Sequence, residues 1–102
     1  MKYVIMKLLR VTKLPPSSKQ KYIAEFKMDN GKIKKTRFGA TGYGDYTLTG
    51  DKVKRASYRS RHKKDLRTGD PTRAGYLSYY ILWGDSTSVT SNIRSYKKKF
   101  NL

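Results

Sequence analysis

The chain has no cysteine, one histidine and only seven carboxylate side chains in 102 residues. Without thiols there is no disulfide framework, no thiolate nucleophile and no zinc site built on sulfur, and the expected setting is reducing and intracellular. His62 sits among Lys and Arg with no evident carboxylate to orient it. No two acids lie close in sequence, and no His, Asp and Glu set has metal-ligand spacing. A catalytic role is therefore not expected, nor a metal, a cofactor or a small-molecule substrate. No apolar run approaches the ~20 residues of a membrane span. The opening Met1 to Leu14 is interrupted by Lys7 and Arg10 and is followed by no small-residue cleavage site, so it is not read as a signal peptide.

Positive charge is abundant. Lys and Arg number 24 against 7 acids, for a formal net charge of +17, with a mean hydropathy of −0.82. Self-repulsion and a shortage of aliphatic residues push such a chain toward disorder. The aromatic content of 13% pulls the other way, because each buried ring removes a large apolar area from water. The expectation is one small, marginal domain over residues 1–102, stabilised when partners neutralise it. Six of the seven acids are Asp, placed as local hardware: Asp29 in a turn, Asp51 and Asp70 as caps, Asp85 after a helix stop. Few acids remain to balance the cations, which implies a polyanionic partner: DNA, RNA, anionic lipid or an acidic protein face.

The pattern along the chain predicts an α+β fold. Tyr3 to Thr12 reads as a strand, stopped by Leu14-Pro15-Pro16-Ser17-Ser18. Lys21 to Met28 alternates, with Tyr22, Ala24, Phe26 and Met28 on one face and Ile23, Glu25 and Lys27 on the other. Asp29-Asn30-Gly31 is a hairpin signal, and Lys32 to Phe38 returns as a third strand. A two-residue turn would set Met28 opposite Ile33, Phe26 opposite Lys35 and Ala24 opposite Arg37. Lys35 and Arg37, with Lys27 and Lys34, would then decorate a small antiparallel sheet, either following a phosphate backbone or guarding an edge. The glycine-rich run Gly39 to Thr47 lacks the ending of a P-loop and the spacing of a dinucleotide fingerprint. It is expected to be a tight connection with Tyr43 and Tyr46 over the core, base stacking being the functional alternative.

About three helices follow. Asp51 can cap a helix from Lys52 to about Leu66, packed through Val53, Ala56, Ser57 and Ser60. Its other faces carry Lys52, Lys54, Arg55, Arg59, Arg61, His62, Lys63 and Lys64, and no acid occurs between Asp51 and Asp65 to form i,i+4 pairs. An anion-contacting surface is favoured over a merely solvated one, although the same residues would pass for a nuclear-import signal. Asp70 to Gly84 is the one long apolar stretch, with Asp70 placed as N-cap, Pro71 at the first helical position and Gly84 as a left-handed stop. Ala74, Leu77, Ser78 and Ile81 share a face. Tyr76, Tyr79, Tyr80 and Trp83 cover much of the rest, more aromatic surface than a small fold hides, and are candidates for a protein interface. After Asp85-Ser86-Thr87-Ser88, the stripe Val89, Ile93, Tyr96 and Phe100 predicts a last docking helix, with Arg94 and Lys97 to Lys99 on its flanks.

The motifs Arg37 to Thr47, Tyr58 to Lys64, Asp70 to Ser78 and Ile81 to Gly84, in that order, resemble a family of small basic proteins encoded by large (nucleocytoplasmic) double-stranded DNA viruses of eukaryotes. The resemblance covers roughly the last two-thirds of the chain and carries no established activity. It implies a virus-encoded protein, found in the virion and in host cytoplasm or nucleus during infection. There, positive charge would cement acidic capsid proteins or condense the genome. The leading expectation is a non-catalytic structural protein of the virion, a minor capsid component. The alternative is a free-standing, sequence-tolerant DNA- or RNA-binding protein, with Lys54, Arg55, Arg59, Arg61, Lys63, Lys64, Lys35 and Arg37 as anion contacts.

Overall fold

Strands β1 (Ile5–Lys13), β2 (Gln20–Met28) and β3 (Ile33–Ala40) form an antiparallel sheet in the order β1-β2-β3. The structure is a computed structural model that describes residues 5–102. The part of the predicted first strand at Tyr3 and Val4 lies outside the described residues. After the sheet come a single turn α1 (Tyr46–Thr49), α2 (Lys52–His62) running on into a 3-10 segment (Lys63–Thr68), α3 (Ala74–Leu77) widening into a π-helical turn (Ser78–Leu82), and α4 (Val89–Lys99). This is the α+β arrangement that the sequence predicts.

The alternation in β2 is realised: Ala24, Phe26 and Met28 are buried beneath the helices, and Lys27 is exposed on the open face. The hairpin corrects the predicted register. Gly31 N–H donates to Met28 O (2.9 Å) and Met28 N–H to Lys32 O (2.9 Å), so Asp29-Asn30-Gly31 is a three-residue loop with Gly31 at φ +80. Phe26 therefore pairs with Lys34, Ala24 with Thr36 and Tyr22 with Phe38. A one-residue slip exchanges the faces of a strand. Phe38 enters the core, while Lys35 and Arg37 stand with Glu25 and Ile23 on the open face.

The apolar stretch is helical, but its ends differ from those predicted. Asp70 makes a tight turn rather than a helix cap: its carboxylate accepts from the Thr72 amide (2.9 Å) and hydroxyl (2.6 Å), and the helix starts at Ala74. Pro71 lies in that turn, where its carbonyl accepts from the Tyr96 hydroxyl. At the other end Trp83 N–H reaches back to Ser78 O (3.0 Å), one residue beyond α-helical spacing. Gly84 is not left-handed. It is there because a Cβ would overlap the Tyr80 carbonyl oxygen and lie 2.9 Å from Asn92 Cγ.

The core joins Leu8, Ala24, Phe26 and Phe38 of the sheet to Leu77, Ile81 and Leu82 of α3 and its π turn, and to Tyr96 of α4. Helix α4 is capped by Ser88, whose hydroxyl accepts from Ser91 N–H (3.2 Å), and Val89, Ile93 and Phe100 pack against the cluster as the stripe predicts. Among the described residues, no helix is long and apolar enough to cross a membrane.

Candidate functional site

Helix α2 buries no residue fully. The predicted packing face of Val53, Ala56, Ser57 and Ser60 is exposed, Val53 at 77%. The face turned toward the protein is Arg55, Tyr58, Arg59 and His62, spaced i, i+3, i+4 and i+7. The reason is the C-terminal end of the π turn, which presents main-chain carbonyls without helical partners. Arg55 Nε–H donates to Gly84 O (2.6 Å) and its Nη2 to Asp85 Oδ1 (2.7 Å). Arg59 Nη1 donates to Trp83 O (2.8 Å) and Tyr79 O (3.2 Å), with its guanidinium 4.1 Å from the Tyr79 ring centroid. Two of the predicted anion contacts, Arg55 and Arg59, are thus positioned as caps of a helix end, where cations also suit the dipole.

Between these arginines Tyr58 stacks on Trp83, with centroids 4.4 Å apart and planes 8° from parallel, and on His62 at 4.2 Å and 22°. Burial raises the Tyr58 hydroxyl above its ordinary pKa, with Asp65 adding to the effect and Ser78 and Arg61 opposing it. His62 does have a carboxylate partner, contrary to expectation: Nδ1 lies 3.0 Å from Asp65 Oδ2, one turn along the chain.

The stack forms one wall of a cleft of about 560 Å³. The facing wall is the glycine-rich loop. Gly39, at φ +79, opens it where a Cβ would lie 2.6 Å from Leu82 Cδ1. Asp45 closes it as the cap of α1, accepting from Thr47 N–H (2.9 Å) and from the Thr47 hydroxyl. Lys21 of β2 ties the loop down by donating to Asp45 Oδ2 (2.7 Å) and Tyr43 O (2.6 Å), in an ion pair whose carboxylate is buried and whose ammonium is partly so. Tyr46 is buried as predicted, but Tyr43 is 73% exposed at the cleft rather than packed over the core. Lys54 and Arg61 line the same cleft and are exposed, so the Asp45 charge is neutralised from within while these two cations face outward.

The remaining predicted residues fall elsewhere. Lys63 and Lys64 are exposed on the 3-10 segment beside Arg61 and Arg67. Lys35 and Arg37 are exposed on the open face of the sheet, joined by Lys7, Arg10 and Lys27 from the paired strands, with Glu25 against Arg10 at 3.4 Å. Of the predicted interface rings, Tyr76 and Tyr79 are each only 7% exposed and Tyr80 and Trp83 are half-buried. The Tyr76 hydroxyl donates to Leu66 O (2.6 Å), and Tyr80 packs edge-on to Phe100 and Tyr79. Sequence reasoning misses Tyr58 and His62 as a stacking pair, though their i,i+4 spacing is a legible signal. It also misses Lys7 and Arg10, which only strand pairing brings to Lys27 and Lys35. Among the described residues, no three His, Asp or Glu side chains gather as a metal-ligand set.

A protein-family profile described as a family of unknown function (DUF5754) matches residues 10–62, which run from β1 through the end of α2. The chain belongs to that family. The match takes in the end of β1, all of β2 and β3, the glycine-rich loop, Lys54, Tyr58, Arg61 and His62, while Trp83 lies beyond it. No curated protein and no solved structure matches the chain.

Proposed function

We propose that this chain is a non-catalytic, polyanion-binding structural protein of a virus particle, a small basic minor component that binds acidic capsid-protein surfaces and touches the packaged nucleic acid. The observation that carries the reading is the disposition of charge. Glu25, Asp45, Asp65, Asp70 and Asp85 each lie within 2.7 to 3.9 Å of a basic side chain of the same chain. Asp51 accepts from Val53 and Lys54 N–H at the start of α2. The fold thus uses its acids internally, and Lys35, Arg37, Lys54, Lys63 and Lys64 carry exposed charge outside those pairs. A net charge of +17 is left for an external partner to neutralise. The viral setting rests on the motif resemblance. Mass spectrometry of purified particles of the encoding virus tests it: recovery in stoichiometric amounts supports the structural role, and absence contradicts it.

The second reading, a free-standing nucleic-acid-binding protein, is favoured by the aromatic cleft between exposed Lys54 and Arg61, since stacked rings beside cations suit bases and phosphates together. An acidic capsid face would use the cations alone. Binding to oligonucleotides with no binding to polyglutamate at physiological salt would favour this reading over the first.

A further inference from the structure

We infer that the cleft between the glycine-rich loop and α2 is a site for an unpaired nucleobase, and that single-stranded nucleic acid is the polyanion it takes. This deepens the polyanion-binding reading and rests on it. A surface meant only for phosphates or carboxylates needs cations and no rings. Here the wall is aromatic: Tyr58 is held between Trp83 (4.4 Å, 8° from parallel) and His62 (4.2 Å, 22°), so both of its faces are taken and a base meets the outer rings of the stack, Trp83 and His62. Arg59 holds the Trp83 carbonyl oxygen at 2.8 Å, which anchors the main chain that carries the indole before a ligand arrives.

Across the cleft Tyr43 is 73% exposed, on a loop that is otherwise pinned by Lys21. Leaving a large ring in water while its own backbone is anchored fits a residue that closes over a planar ligand. The volume of about 560 Å³ lies in the range that small-ligand sites occupy. Lys54 and Arg61 sit on the same helix face as the mouth and can meet the phosphates on either side of a bound base. The one carboxylate lining the cleft, Asp45, is 2% exposed and already paired with Lys21, so it does not repel a phosphate from within.

The test uses the intact protein and Trp83, the only tryptophan in the chain, as reporter. Oligothymidylate, oligouridylate, an abasic strand of equal length and charge, a duplex and polyglutamate are titrated at one fixed salt concentration. Both Trp83 emission and the anisotropy of a labelled strand are followed. The base-bearing single strands are expected to bind about tenfold or more tighter than the abasic strand, as one stacked base allows, and to quench Trp83. Thymidylate and uridylate strands separate DNA from RNA as the source of the base. Tyr43→Ala, at an exposed position that leaves the core intact, should reduce the preference for bases over abasic strands. Equal binding of base-bearing and abasic strands, a duplex or polyglutamate preferred over the single strands, or base preference without a change in Trp83 emission overturns the site while leaving polyanion binding intact. Failure of every polyanion to bind at low salt overturns the underlying reading, and the site with it.

Discussion

The guanidinium of Arg59 lies 4.1 Å from the centre of the Tyr79 ring and donates to the carbonyl oxygen of the same residue. Two positions along α2, Arg61 is exposed and makes one local bond, from its Nε to Ser57 O at 3.3 Å. The two arginines look alike in sequence and should behave oppositely. Arg59→Ala removes two charge-assisted hydrogen bonds and a cation–π interaction, and should cost about 2–3 kcal/mol. In a domain of this size that lowers Tm by on the order of 10 °C. Arg61→Ala should stay within about 0.5 kcal/mol. Thermal unfolding of both variants checks the contrast, and equal effects would contradict the assignment of Arg59 as a helix-end cap.

Gly84 tests the same joint from the other side. A methyl group there meets the Tyr80 carbonyl oxygen and Asn92, neither of which is a free side-chain end that can swing away. Gly84→Ala should therefore destabilise by about 2–4 kcal/mol. Gly31→Ala or Gly69→Ala, where a Cβ meets nothing within 4 Å, should cost less and only through their positive φ angles of +80 and +65. Denaturant midpoints of the three variants rank them.

Asn92 of α4 ties the helix to the loop before it. It is 3% exposed, its amide donates to Ile81 O (2.8 Å) and Ser86 O (2.7 Å), and its carbonyl oxygen accepts from Ser86 N–H (3.1 Å). Asn92→Leu keeps similar volume but strips partners from the buried Ile81 carbonyl, and should cost about 2–4 kcal/mol. A Tm equal to that of the wild type would contradict this bonding.

These joints mark where the sequence stops being legible. Strands, hairpin, the Asp51 and Ser88 caps and the α4 stripe are decided by neighbours a few residues away, and each is readable from local chemistry. The hairpin register is not, because Asp29-Asn30-Gly31 serves a two-residue or a three-residue loop, and only packing of Phe38 against the core selects between them. Arg55 and Arg59 read as outward cations because nothing nearby is acidic. Their partners are main-chain oxygens 20 to 29 residues downstream, set free by a π turn that has no local signature. The cleft is half legible: its cations and its glycine loop stand out, while the Tyr58–Trp83 stack needs the fold to bring the two rings together.

Alkaline pH should unfold the protein through its buried and half-buried phenols. Burial raises the Tyr58, Tyr80 and Tyr96 hydroxyls above their ordinary value of 10.0, Tyr96 most of all, with neighbouring phenols adding to the effect at Tyr80 and Tyr96. A raised acid in the folded state favours folding while it is protonated. That stability is full below about pH 10 and is lost as pH climbs past the unfolded value toward the folded one. Tyrosinate absorbance from Tyr58, Tyr80 and Tyr96 should rise together with loss of helical circular dichroism. At the acid end the sign reverses for Asp70. Burial opposes its ionisation, but the Thr72 hydroxyl and amide, with Lys34 and Arg73, outweigh that and hold its carboxyl below the ordinary range. Its contribution is present above about pH 4 and is lost as pH falls through the lowered value, so Asp70→Asn should flatten the acid limb of a pH–stability curve.

On the proposed reading, the exposed cations of α2 and the 3-10 segment, not the inward Arg55 and Arg59, meet the polyanion. The direct measurement is the salt dependence of binding to a single-stranded oligonucleotide for the wild type and for the combined variant Lys54→Ala, Arg61→Ala, Lys63→Ala and Lys64→Ala, with folding checked by circular dichroism. Loss of these four cations should lower the slope of log affinity against log salt by about 3 in magnitude, near 0.7 for each phosphate of a single strand that is no longer neutralised. An unchanged slope in a folded variant would contradict it.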